Sequence, residues 1–109
     1  MKITSYTDTK PTQELTGVLK REVITARDGA PNFCMRVFEV EPGSSTPDHS
    51  HPWEHEVFIL SGRGVVRNEQ GETDIGEGSV VFIAPDEQHC FLNTGKKVLR
   101  FICLIPNQD

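Results

Sequence analysis

Short runs of β-branched and aromatic residues, each closed by a glycine or proline turn, recur along the chain, and no stretch offers a capped helix of three turns. Residues 18–27 (VLKREVITAR) make the first run and end at Asp28-Gly29. Residues 32–41 (NFCMRVFEVE) make the second and stop at Pro42-Gly43. His55 opens an alternating run that ends at Ser61-Gly62. Further strands are predicted over 64–68, 72–75, 79–83, 89–92 and 97–105, separated by Glu69-Gln70-Gly71, by Gly76-Glu77-Gly78, by the loop 84–88 and by Asn93-Thr94-Gly95. Many short strands with such breaks predict an all-β fold, a small antiparallel barrel or sandwich. Residues 1–16 are polar and threonine-rich, with Pro11 against continuous helix. They are expected to form an N-terminal arm or an edge strand donated to a partner subunit, beside a single domain over 17–109.

Parity locates the interior. In residues 97–105 the odd positions Leu99, Phe101, Cys103 and Ile105 are apolar while Arg100 is even, so the odd set turns inward. His55, Val57 and Ile59 share one face, as do His89 and Phe91. In residues 32–40 Phe38 and Val40 favour the even face, and Arg36 shares it as a residue of the rim near a ligand. Phe38, Ile59, Phe101 and Cys103 are therefore expected to wall a pocket.

A length of 109 residues allows one domain with one core and no separate cofactor domain. The net charge of -5, with no basic run, makes nucleic acid and anionic membrane poor partners. No apolar stretch resembles a signal peptide or a membrane span, so a cytoplasmic protein is expected. Cys34, Cys90 and Cys103 are odd in number and lie far apart, which indicates neither a disulfide framework nor a zinc knuckle. Reduced, buried thiols are expected.

The most informative stretch is 48–62, DHSHPWEHEVFILSG. In an extended segment His49 and His51 point to the same face, and after a bend at Pro52 and Trp53-Glu54 a second strand brings in His55. Three imidazoles presented by two neighbouring strands suit a first-row transition metal. Glu56 is the rival to His55, but parity sends it outward.

From Gly43 the chain reads G-x5-H-x-H-x3-H-x6-G, through His49, His51, His55 and Gly62. From Gly78 it reads G-x5-A-x-D-x2-H-x3-N, through Ala84, Asp86, His89 and Asn93. These patterns, over about half the chain, resemble the two signature motifs of the cupin superfamily, and HSHPWEHEVF with Cys103-Leu104-Ile105-Pro106 resembles the small single-domain four-histidine manganese cupins. The resemblance implies a jelly-roll (double-stranded β-helix) barrel, one metal held by His49, His51, His55 and His89, and a homodimer. His55 stands where the family usually has glutamate, and Ala84 and Asp86 where it has proline and glycine.

Four neutral imidazoles would leave the full charge of a divalent ion on the site, favouring anionic ligands and Lewis-acid character. The resemblance implies manganese as the ion; iron, nickel, zinc and copper also suit all-imidazole donors, and affinity order alone favours copper or zinc. An enzyme is expected, a dioxygenase-like metal-dependent oxidoreductase acting on a small organic molecule, with Cys103 near the metal. The alternatives are a redox-neutral isomerase or lyase, against which stands the lack of an inward carboxylate, and a non-catalytic metal- or ligand-binding module.

Overall fold

The computed structural model describes residues 1–108. Their strands are β1 (Thr12–Leu15), β2 (Val18–Ile24), β3 (Phe33–Val40), β4 (His55–Ser61), β5 (Arg63–Asn68), β6 (Gly71–Gly76), β7 (Val80–Ile83), β8 (His89–Leu92) and β9 (Leu99–Pro106), with single 3-10 turns at Tyr6–Asp8 and Ala26–Asp28. No helix among the described residues is long and apolar enough to cross a membrane.

Local chemistry sets the ends that periodicity leaves open. The run predicted over 18–27 stops at Ile24 because Thr25 caps the 3-10 turn: its side chain accepts from the Arg27 N–H, and the Asp28 carboxylate accepts from the Thr25 N–H. The last strand begins at Leu99, not at residue 97. The Asn93 side chain donates to the Lys97 carbonyl at 2.7 Å and accepts from the Gly95 N–H at 2.8 Å, holding this stretch as a turn.

The strands pair into a six-stranded sheet, β1-β2-β3-β9-β4-β7, and a three-stranded sheet, β6-β5-β8. Every pairing is antiparallel. The jelly roll expected from the sequence is present, but the closed barrel is not: the two sheets face each other without a continuous hydrogen-bond ladder. The irregular segment 43–49 lies along the free side of β8 and pairs with it at Ser45–Leu92 and His49–His89. Strand β1 is an edge strand in its own chain's sheet, antiparallel to β2.

Parity holds within the regular strands. Leu99, Phe101, Cys103 and Ile105 are all buried, as are Val57, Ile59, His55, His89 and Phe91. Phe38 and Val40 join them from β3. Cys34, Cys90 and Cys103 are free and buried. The outer face of the large sheet is unusually apolar. Register aligns Phe58 with Val80 and Glu56 with Phe82, and Phe58, Val80 and Phe82 are 47%, 76% and 61% exposed.

Two residues of the motifs are structural. Gly62 turns the chain at φ 90°, and a Cβ there would stand 2.5 Å from the Val98 carbonyl oxygen, so no side chain fits. Asn93, 1% exposed, also donates to the Val40 carbonyl at 2.8 Å and so ties β8 to β3. Replacing Asn93 by Ala removes all three of these bonds at a buried side chain. A loss of about 2–4 kcal/mol in urea unfolding is expected; a loss within experimental error would show that water replaces the amide without penalty.

Candidate metal centre

The alternation of β4 begins well before the strand itself. From residue 47 to residue 59 every odd side chain is at least partly buried and every even one is exposed. Pro52 therefore does not break the phase, and Pro47, His49, His51, Trp53 and His55 all reach one cavity. The sequence reading placed His49 and His51 on a strand; instead they lie in the irregular segment 43–54, and His55 opens β4. What keeps that segment extended is its pairing to β8. The His49 N–H donates to the His89 carbonyl at 3.1 Å and the His89 N–H to the His49 carbonyl at 2.9 Å.

His89 arrives from the other direction, after the turn 84–88. Here Asp86 adopts φ 67°, the left-handed region, at the position where the family motif carries glycine. Asp is among the few non-glycine residues that tolerate this conformation. Its N–H donates to the His51 carbonyl at 2.6 Å, so the turn is fastened to the first histidine segment. Glu87 stiffens the turn through its own side chain, accepting from the Ala84 N–H at 3.0 Å. The His89 ring Nδ1 donates to the Glu87 carbonyl oxygen at 2.8 Å, so that in the neutral ring Nε2 is the nitrogen that would carry the lone pair.

The four rings form a closed circuit. Their centres are 4.3 Å apart for His49–His51, 5.5 Å for His51–His55, 4.8 Å for His55–His89 and 5.1 Å for His49–His89. An ion about 2.1 Å from each ring nitrogen puts ring centres roughly 3.2 Å out, and neighbours then stand roughly 4.6 Å apart at right angles or roughly 5.3 Å at the tetrahedral angle. The spacing thus fits four imidazoles about one ion. As the side chains stand, no three His, Cys, Asp or Glu donors among the described residues meet at a point that would hold one. His55 Nδ1 is buried without a hydrogen-bond partner, an arrangement that a polar group rarely keeps without a use. Burial first, and the neighbouring His51 and His89 second, lower the His49 pKa to about 4. Burial and His89 lower that of His55 to about 3, and His51 is lowered for the same reasons. Imidazoles kept neutral are the form that ligates metal.

The surrounding cavity, about 360 Å³, is walled by Phe38, Phe91, Phe101, Trp53 and Cys103. Phe38 stacks on Phe101 at 5.1 Å and Phe91 on Phe101 at 4.7 Å, while Trp53 lies flat on His51 at 4.6 Å. Of the expected pocket residues, Ile59 is absent from the wall; it is fully buried in the core between the sheets. Three charged side chains line the cavity: Glu14, Lys20 and Arg36. Lys20 pairs with Glu14 at 2.8 Å. The absence of an inward carboxylate, expected from parity, is therefore corrected. Glu14 stands two residues beyond Thr12, which pairs with the cavity-lining Lys20, so alternation along β1 turns it inward; it is absent from the parity argument because residues 1–16 are expected as an arm and carry no assigned phase. Lys20 carried a readable signal, since it pairs with inward Phe38 two residues beyond Val18 and Val40. Glu56 is exposed, away from the cavity.

Two facing sheets around a single buried histidine cluster define a cupin. The Cupin domain family matches residues 36–105, and the chain belongs to that family. It is 37% identical over 68 residues to the oxalate-binding protein of Thermotoga maritima, covering 62% of this chain but only 56% of that protein. An uncharacterised protein of Methanocaldococcus jannaschii is 30% identical over 107 residues, 92% of this chain and 82% of its own. Among solved structures, the polyketide cyclase RemF of Streptomyces resistomycificus superposes with a TM-score of 0.90 at 33% identity, over 99% of this chain and 80% of that one.

The neutral histidines make stability pH-dependent in protein stripped of metal. Below the ordinary histidine value of 6.5 the unfolded chain takes up protons that the folded chain refuses at His49 and His55, so stability falls as pH drops towards the folded values of about 4 and 3. Urea midpoints at about pH 7 and about pH 4.5 should show this loss, and a smaller one in His55→Gln. Equal losses in both proteins would mean that His55 is not held neutral by the fold.

Proposed function

We propose that His49, His51, His55 and His89 hold one divalent transition metal, manganese in the first instance, and that the protein is a metal-dependent enzyme of redox-neutral chemistry on a small enolisable molecule. The observation that carries this reading is Glu14, a carboxylate in the same cavity as the four histidines. A cyclisation, isomerisation or lyase step at a carbon beside a carbonyl needs a group to take and return a proton, and this was the part missing from the sequence reading.

When bound, the metal supplies Lewis acidity to a substrate oxygen. Glu14 takes the carbon-bound proton, and the Lys20 ammonium 2.8 Å away holds the carboxylate in place. Phe38, Phe91, Phe101 and Trp53 hold an apolar, planar body and exclude water from it. The likeness to a polyketide cyclase supports a condensation between enolisable carbonyls, and the likeness to an oxalate-binding protein supports an acidic ligand. The dioxygenase-like oxidoreductase and the binding-only module would use the same four histidines but leave Glu14 without work.

The proposal includes a homodimer formed by the outer face of the large sheet, where Phe58, Val80 and Phe82 are exposed beside the free edge of β7. A contiguous apolar face on an unpaired strand edge is the surface a second copy would cover.

Elemental analysis, dioxygen uptake and assays with enolisable keto acids and polyketide-like diketones test the reading together. About one metal per chain is expected in the wild type and in Glu14→Gln, and little in His51→Ala. Turnover of an enolisable substrate without dioxygen uptake should fall by about 100-fold or more in Glu14→Gln. Substrate-dependent dioxygen uptake that is indifferent to Glu14 would hand the site to the oxidoreductase reading.

Light scattering should give the mass of a dimer for the wild type and of a monomer for Phe82→Asp. A monomeric wild type would remove the proposed interface.

A further inference from the structure

The charge that remains unexplained in the cavity is Arg36. Every other arginine of the described chain is either paired with a carboxylate or exposed: Arg21 and Arg100 share Glu39, Arg67 binds Glu72, and Arg27 and Arg63 face solvent. Arg36 is partly buried on β3 and has no carboxylate partner among the described residues. Its Nη2 donates to the Cys103 sulfur at 2.9 Å, a weak acceptor. Its Nε is buried with no partner at all. The guanidinium carbon stands 5.0 Å from the centre of the Phe38 ring, a weaker form of compensation than an anion. A partly desolvated cation held this way is unfavourable unless something of opposite charge completes it.

The cavity's own acid does not serve, because Glu14 is matched by Lys20. One positive charge is therefore left over in a space lined by the four imidazoles, over the Phe38 ring and in the same cavity wall as Phe91 and Phe101. We infer that Arg36 is the seat of a ligand carboxylate, so that the cavity takes a planar, apolar-bodied carboxylic acid. The planar fork of a guanidinium matches a carboxylate two oxygens to two N–H groups. A phosphate would ask for more donors than one arginine, and no glycine-rich nest of backbone N–H groups lies in the cavity wall. The stacked phenylalanines then receive the body of the acid, and the acid's second oxygen function lies towards the histidines. Cys103 acts as the arginine's holder. Burial raises its thiol pKa, which keeps it a neutral partner that does not neutralise the guanidinium.

This inference deepens the proposed function by naming its substrate class, and it rests on that reading only for the choice of cavity. Benzoate and its neutral isostere benzamide separate the two ideas. They are titrated by calorimetry into the full chain as purified, for the wild type, Arg36→Gln, Arg36→Lys and His51→Ala, with the metal content of each sample measured. The wild type should bind benzoate about 10- to 100-fold more tightly than benzamide. Arg36→Gln should lose most of the preference with its metal content unchanged, any remainder being the metal's own pull on an anion, Arg36→Lys should recover part of the loss, and His51→Ala should keep most of it. Equal binding of the two probes by the wild type, a preference undiminished in Arg36→Gln, or a preference abolished in His51→Ala would each overturn the assignment. Metal retained in full by His51→Ala would instead contradict the four-histidine proposal and leave the arginine result standing.

Discussion

The site depends on one pair of backbone hydrogen bonds. His49 and His89 exchange N–H donors for carbonyl acceptors, and this joins a segment with no regular strand to the edge of the small sheet. Without it the stretch 43–54 would be a loop between β3 and β4 with no fixed phase, and the alternation that sends His49, His51, Trp53 and His55 to one side would not be sustained. The same bridge sets the distance between the two halves of the cluster, whose rings lie 5.1 Å apart for His49 and His89. Neighbouring bonds repeat the device: the Thr46 N–H donates to the Phe91 carbonyl, and the Phe91 N–H donates back to the Thr46 hydroxyl at 2.8 Å. A β-ladder is normally a means of building a sheet; here its last two rungs position side chains.

The electrostatics follow from that geometry. At His49, His51 and His55 packing in a low-dielectric space makes protonation unfavourable twice over, by desolvation and by repulsion from neighbouring rings. Burial is the larger of the two at His49, His51 and His55, and the Arg36 charge pushes all three the same way. Arginine and histidines thus act in concert. A fixed cation nearby keeps the rings available as lone-pair donors, and the rings, being neutral, do nothing to cancel the cation. The cavity is biased towards anions before any metal enters it, and a divalent ion would strengthen the bias.

Much of this was legible in the sequence, for a physical reason. Within a regular strand the side-chain period is two, so Leu99, Phe101, Cys103 and Ile105 could be turned inward from their spacing alone, and the turns were marked by glycines such as Gly62 whose conformation excludes other residues. The histidine spacing carried through the irregular segment because that segment is still extended. Closure of the two sheets was not legible. It depends on hydrogen bonds between edges distant in the chain, and hydrophobic alternation is the same in a barrel and in a sandwich. Ile59 was misplaced for a related reason: parity says which side of a sheet a residue faces, but not how far along the strand the cavity ends and the packed core begins.

Glu14 shows where parity is given nothing to act on. It belongs to a short polar strand in a segment read as an arm, with exposed Gln13 and Leu15 on either side, and nothing in its spacing distinguishes it from a solvated glutamate. Its inward face follows from the pairing of Thr12 with Lys20, and β2 is itself set by its ladder to β3. An acid can therefore be brought to a cavity by the pairing of an edge strand, far in sequence from the histidines that mark the cavity. The carboxylate is paired with Lys20 at 2.8 Å, and no ion pair joins it to Arg36 among the described residues. The cavity keeps a base and an uncompensated cation together without letting them neutralise each other, and that separation is what a site needs if it is to take a proton from a bound acid while gripping the acid by its charge.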